Sequence, residues 1–201
     1  MGTTTALFSQ EKGLVRVGTN VGLLFPNSGV GIGADLDLRY NITSNFNVGY
    51  KFMGVGLVKA IGYNGEGSGI SASTTAALIA ADYYFNSGKS YFAPFIGGGF
   101  GTFYLSNVAY PSETEAEAAA GLKIVPDMTP GGLLRGGFEF GKIRLTAEYY
   151  FLPDSYVIDI NKKNIATIVN QCSNISLGFY FGGGSWKKKT KKSADKASPN
   201  K

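Results

Sequence analysis

Histidine is absent from this 201-residue chain. Its absence removes His-based acid–base chemistry, Ser-His-Asp triads and His-ligated metal centres. Cys172 is the single cysteine, so an intrachain disulfide and a cysteine zinc site are both excluded. Charged residues are scarce at 16%, against roughly 25% in an average soluble domain. Long apolar runs are missing as well. A transmembrane helix needs about 18 or more consecutive apolar residues, and the longest candidate here, Ala76 to Ala81, has six. At the amino end no positive segment precedes the apolar run Ala6-Leu7-Phe8, which is too short for a signal core. Even so, Thr5-Ala6-Leu7-Phe8-Ser9-Gln10 followed by Glu11-Lys12 is similar to the cleavage region of a secretory signal. Residues 1–12 are accordingly read as a residual signal or an N-terminal arm.

Glycine, by contrast, is plentiful. Its 29 residues are about twice the usual share. Aromatics are also rich, with 12 Tyr and 14 Phe, and hydrophobic residues reach 44%, enough for one packed domain. The formal net charge of +5, taken alone, points to a nucleic-acid partner. Its distribution says otherwise. Residues 185–201 hold seven Lys and one Asp, a net of +6, which leaves −1 for residues 1–184. The basicity belongs to a tail, and the body lacks the clustered Lys and Arg of a nucleic-acid face. No nucleic-acid partner is expected.

The dominant pattern has a period of two, which marks strands with two chemically different faces. Val15, Val17, Thr19, Val21, Leu23 and Phe25 alternate with Arg16, Gly18, Asn20, Gly22 and Leu24. Val30 to Tyr40 alternates with Gly31, Gly33, Asp35, Asp37 and Arg39. Phe46, Val48, Tyr50 and Phe52 alternate with Asn47, Gly49 and Lys51, and after Met53 the phase slips, as at a bulge. A fourth segment, about 69–85, opposes Ile79, Tyr83 and Phe85 to Asp82. In a fifth, about 91–105, Gly97-Gly98-Gly99 hides the phase. Leu134 to Phe140 alternates with Arg135 and Glu139, Ile143 to Phe151 with Arg144 and Glu148, and Ile175 to Phe181 with Ser176, Gly178 and Tyr180. Eight strands result. Short turns at 41–45, 86–90 and around Gly141 face longer connections at 59–68, 106–129 and 153–168. The connection at 26–29 is short where that rule asks for a long one.

Alternation alone does not say which face is wet. A soluble barrel hides its apolar phase, and a membrane barrel reverses this. Three features favour the reversed case. The polar phase is mostly Gly with isolated ions: Arg16, Arg39, Lys51, Arg135 and Arg144 against Asp35, Asp37, Asp82, Glu139 and Glu148. A solvated face needs no charge balance, whereas a closed interior does. The apolar phase carries Tyr40, Phe46, Phe85, Phe140, Phe151, Phe179 and Phe181 near strand ends, as an aromatic girdle would, and Trp186 follows the last strand. Loop lengths alternate in the manner of membrane barrels.

These residues resemble the small eight-stranded outer-membrane β-barrels of the OmpX/OmpA transmembrane type. Ala93-Pro94-Phe95-Ile96-Gly97-Gly98-Gly99-Phe100-Gly101 is similar to a Pro-aromatic-Gly strand common there, and Asn174 to Phe181 is similar to the aromatic-rich last strand read by the assembly machinery. The resemblance covers about residues 13–184. It implies an all-β, eight-stranded antiparallel up-and-down transmembrane barrel in a bacterial outer membrane, in contact with lipid and lipopolysaccharide. One departure is that some 20 residues follow Phe181, where many relatives end.

Eight strands leave an interior just wide enough to be filled by side chains. The expectation is a non-enzymatic barrel without cofactor or metal, whose ten lumen ions are structural. Its role is structural or surface interaction, through an unknown partner at loops 59–68, 106–129 and 153–168. Passage or binding of a small hydrophobic molecule is the alternative, and a soluble ligand-carrying barrel the second. The glycines at 31–33 and 97–101 sit inside strands, not in the strand–turn–helix setting that phosphate loops need. Glu113, Glu115 and Glu117 fit a solvated acidic loop better than a cation site. The tail at 185–201 is read as basic, disordered and periplasmic, with lysines suited to lipid phosphates or anionic wall polymers.

Overall fold

The computed structural model describes residues 10–26, 29–63, 66–86, 90–109, 127–158 and 164–184. Ten strands appear among them: β1 (Val15–Pro26), β2 (Gly29–Asn41), β3 (Phe46–Tyr63), β4 (Glu66–Tyr84), β5 (Phe92–Ala109), β6 (Asp127–Phe140), β7 (Ile143–Phe151), β8 (Ser155–Ile158), β9 (Asn164–Ile168) and β10 (Cys172–Gly182). Eight close into an antiparallel barrel in the order β1-β10-β7-β6-β5-β4-β3-β2. Each strand pairs with its sequence neighbour in the wall, and β10 returns to β1, so no edge is left along the paired wall. The remaining two strands pair as a separate hairpin.

The wall turns its apolar phase outward. Val21, Ile32, Phe100, Leu134 and Leu177 are all more than half exposed. On β2 the outward row runs from Val30 to Tyr40. Ten residues at ~3.4 Å each, tilted as barrel strands are, make about 26 Å, close to the ~25 Å apolar band of a membrane barrel.

The closing seam is matched by size. On the inner face Gly18 lies opposite Tyr180, Asn20 opposite Gly178, and Gly22 opposite Ser176. A methyl group on Gly178 would stand 1.7 Å from Asn20 Oδ1, and one on Gly18 would stand 2.3 Å from the Tyr180 ring. Each glycine leaves the space that the larger partner fills, and a two-residue slip that put Asn20 opposite Tyr180 would set large against large.

Several expectations are corrected. The phase does not slip after Met53. The β2–β3 and β3–β4 ladders run without a bulge, and Met53 and Val55 stay inward and buried. What changes there is the chemistry of the lumen, from ionic to apolar. The connection at 59–68 is largely strand, with pairing continued to Tyr63 and Glu66. Asn64-Gly65 between them is the dipeptide most favoured in two-residue hairpins. Within 106–129, β5 extends to Ala109 and β6 begins at Asp127; residues 110–126, with the three glutamates, lie outside the described residues. The connection at 153–168 holds the β8–β9 hairpin. The wall is therefore tall at β3–β5, with 18, 19 and 18 residues, and low at β7, with 9.

The turn-side end is tied by side chains. Phe46 N donates to Thr43 Oγ1 at 3.0 Å, and Asn45 Nδ2 donates to the carbonyls of Tyr84 and Asn86 at 2.8 and 2.7 Å. Gly141 opens the two-residue β6–β7 turn with φ of +63°, a region that side chains with a Cβ rarely adopt. Lys142 Nζ donates to the carbonyls of Gly182 and Gly184, at 2.6 and 2.5 Å. Burial, with the nearby Arg16 guanidinium, holds the Lys142 ammonium below its ordinary pKa. Residues 10–14 join the same rim: Glu11 N donates to Gly183 O, and Gly13 N donates to Asn41 O. Residues 1–9 and the basic tail lie outside the described residues.

Candidate functional site

The lumen has two layers. Toward the turns it is ionic. Nine of the ten charged residues named above are buried, and the tenth, Asp35, is half-buried, all on the inner face. Asp82 sits at the centre. Arg135 holds it with two contacts, Nε at 2.7 Å and Nη2 at 3.0 Å. Arg144 Nη2 adds a third at 3.1 Å, and Arg39 Nη1 stands 3.4 Å away. Arg16 grips Glu139 with Nη2 at 2.9 and 2.8 Å. Arg39 binds Asp37 at 2.6 Å and donates to Ala80 O at 3.1 Å.

A second group lies nearer the middle of the barrel. Lys51 Nζ reaches Asp35 at 2.6 Å and Glu148 at 2.9 Å. Asn20 donates to the other Asp35 oxygen. Glu148 also accepts from Tyr150 at 2.5 Å and from Asn174 at 2.7 Å. Arg135 Nη1 links the two groups, 3.6 Å from Asp37 and 3.5 Å from Glu148.

Three tyrosines belong to this network, and alternation placed two of them, Tyr150 and Tyr180, in the polar phase without showing a task. Tyr84 Oη donates to Glu139 at 2.8 Å and accepts from Arg144 at 3.1 Å. Tyr180 Oη donates to Asp37 at 2.8 Å and accepts from Arg144 at 2.9 Å. The Tyr84 and Tyr180 hydroxyls each bridge a cation and an anion, accepting from the one and donating to the other. Guanidinium planes also lie over rings, Arg144 3.8 Å from the Phe95 centroid and Arg16 4.3 Å from that of Tyr180.

Toward the loops the lumen is apolar. Leu24, Met53, Val55, Ala76, Leu78, Phe103, Leu105, Leu133, Tyr150, Leu152 and Cys172 form one buried cluster. Between the layers is a void of about 10 Å³ beside Leu24, Asp35, Met53, Tyr150 and Asn174, room for about one water. The apolar layer is the part of the site that alternation missed. Its residues share the phase of the ions, but an apolar residue in the polar phase reads as a break in pattern.

Every ion faces a counter-ion at hydrogen-bond distance, and among the described residues no group of His, Cys, Asp and Glu is set to hold a metal. Glu148→Ala is expected to leave Lys51 with Asp35 alone and two donors, Tyr150 and Asn174, without their acceptor. The expected cost is about 1–3 kcal/mol, read as a lower unfolding temperature on a heat-shift gel, with Glu148→Gln losing less. Arg135→Ala should fall further, because it strips Asp82 of its bidentate partner.

The aromatics named from sequence divide by position. Tyr40, Phe85, Phe140, Phe179 and Phe181 are exposed on the outer face at the turn-side rim, with Phe46 half-buried beside them. Phe151 is exposed at the opposite end of β7, in register with Gly132 and Phe100. Trp186 lies outside the described residues.

No protein-family model matches this chain, and no curated protein matches it. Solved structures do. Outer membrane protein OprG from Pseudomonas aeruginosa is 11% identical, with 85% of this chain and 97% of that one covered and a TM-score of 0.52. The N-terminal barrel domain of Pseudomonas aeruginosa OprF is 10% identical over 85% and 98%, with a TM-score of 0.49. Neisserial surface protein A is 14% identical over 83% and 94%, with a TM-score of 0.47. At these identities the likeness, carried by OprG, is one of fold. The chain has the all-β, eight-stranded closed architecture of a small outer-membrane barrel.

Proposed function

We propose that this chain is an integral protein of a Gram-negative outer membrane, with a structural or surface-interaction role and a lumen that passes no solute. One observation carries the reading: the barrel is inverted, with its apolar residues on the outer face and its ions paired inside. Water on the outer face would meet a continuous belt of Val, Ile, Leu and Phe, far more than a soluble monomer exposes. Lipid on that face, including lipopolysaccharide, meets no unpaired backbone, because the wall is closed. The ten ions are structural, locking strands that lie across the lumen from one another. The aromatic rims mark the two interfaces. Insertion would be through the cell's outer-membrane assembly machinery, with β10 as the strand it reads although residues follow it.

Surface interaction falls to the tall wall of β3–β5 and the connections 106–129 and 153–168, because loops on a rigid scaffold carry such roles. The basic tail would lie on the periplasmic side, within reach of lipid phosphates. No step of catalysis is assigned to any residue.

Membrane fractionation and detergent extraction test the location. The expected result is a detergent-extracted protein whose gel mobility shifts on heating, and a stable detergent-free aqueous monomer would overturn the reading. In planar bilayers the purified protein is expected to give no discrete conductance steps. Recurrent steps would refute the closed lumen. A second reading, binding of a small hydrophobic molecule, is favoured by the apolar loop-side layer. Its void is smaller than any hydrocarbon ligand, so this reading requires Met53 or Leu24 to move on binding.

A further inference from the structure

The ionic residues are matched, but at the turn-side end three carboxamides have atoms that are not. Asn41 and Asn47 face one another across β2–β3 on the inner face at the turn-side end, and Asn47 is also in register with Asp82. Both are wholly buried, and Gln10 is 3% exposed. Gln10 is brought to the same place by its neighbour. Glu11 N donates to Gly183 O, and Asn41 Nδ2 donates to both the Glu11 and Gly183 carbonyls, at 3.3 and 3.4 Å. Yet neither amide atom of Gln10, neither of Asn47, nor Oδ1 of Asn41 has a partner within the protein.

These five atoms are two NH₂ groups and three carbonyl oxygens. Buried amides in native proteins almost always have partners, so something must meet them. An anion would satisfy only the donors and a cation only the oxygens. The set is neutral and offers both halves of a hydrogen bond, which is the complement of water.

We propose that Gln10, Asn41 and Asn47 hold a fixed cluster of water molecules at the turn-side mouth, which hydrates the Asp82 end of the ionic network. The apolar layer stops this water on the loop side, so the lumen is a vestibule wet from one end. This rests on the closed-lumen reading above. Cys172, the single native cysteine, lies in the apolar layer and reports on its seal.

The test treats the full chain, folded in detergent micelles, with a small water-soluble thiol reagent and counts adducts by mass. The native protein is expected to gain none while folded and one after heat unfolding. Asn47→Cys is expected to gain one while folded and two after unfolding, with Gln10→Cys giving the same pattern where Asn47→Cys yields no heat-shifting species. A folded Asn47→Cys with no adduct overturns the hydration site alone. A folded native protein that is modified at Cys172 overturns the closed lumen and leaves the hydration site standing. In the unaltered chain, the side-chain amide protons of Gln10 and Asn47 should show nuclear Overhauser contacts to long-lived water. Contacts to protein groups alone would overturn the proposal.

Discussion

Asp82→Ala is expected to be among the most damaging single changes to the lumen. Asp82 is the common anion of Arg39, Arg135 and Arg144, and it is fully buried. Removing it leaves three buried guanidinium groups facing one another where an anion had been. Breaking a buried pair by deleting one partner costs about 3–5 kcal/mol, and here one deletion orphans several contacts at once. Arg39 keeps Asp37 and Arg144 keeps both Glu139 and the two tyrosine hydroxyls. Arg135 keeps only longer contacts of 3.6 and 3.5 Å, so it bears most of the loss. Asp82→Asn preserves shape and one acceptor but not charge, and should fall between the native protein and Asp82→Ala. The measurement is the unfolding temperature of the heat-shift gel in one detergent. The decisive comparison is the double variant Asp82→Ala/Arg135→Ala. If the damage comes from orphaned charge, removing Arg135 as well should restore part of the loss, as a coupling of about 0.5–3 kcal/mol. A double variant as unstable as the sum of the singles would mean that the two side chains act independently.

The eight walls were legible in the sequence because a barrel strand has one face in lipid and one in a narrow polar interior, so its alternation is sharp. Arg16, Asp37, Arg144 and Glu148 stand out in that pattern. Alternation failed where both faces become apolar. From Met53 onward the inward Val55 faces the same apolar cluster as Leu78 and Phe103, and a true inward phase looked like a slip. The fifth strand was unreadable at Gly97-Gly98-Gly99 because glycine has no side chain to mark a face. Its phase is set by neighbours, Phe95 and Phe103 inward and Phe100 outward. By its length the segment 59–68 reads as one of the longer connections, although Asn64-Gly65 is itself a turn signal between two strands. Pairings across the lumen, such as Arg16 with Glu139, could not be read at all. They join strands that are far apart in the chain, and their geometry exists only once the barrel has closed.

Two glycines on one strand should respond to the same substitution in opposite ways. Gly49 lies between Asn47 and Lys51 on the inner face of β3, and Gly54 lies on the outer face. A Cβ on Gly49 would stand 1.9 Å from the carbonyl oxygen of Leu38 and 2.8 Å from Cα of Arg39. These are backbone atoms of the neighbouring strand, so no rotamer change relieves the contact. The β2–β3 pair must part at the level of Arg39, and Arg39 carries contacts to Asp37 and Asp82. The strain therefore reaches the ionic network, and Gly49→Ala is expected to cost at least the ~3 kcal/mol upper range of overpacked sites. A Cβ on Gly54 would meet nothing within 4 Å. It would project from the outer wall, where a methyl group is at home in lipid. Gly54→Ala should leave the unfolding temperature unchanged or raise it slightly, since alanine also limits the unfolded chain. The pair separates two explanations for the glycine content of the wall. If glycine served mainly to let strands bend, both substitutions would stiffen β3 and both would harm it. If inner-face glycines make room for the neighbouring strand and for the large groups of a narrow lumen, only Gly49→Ala fails. Equal losses in the two variants would refute the second explanation.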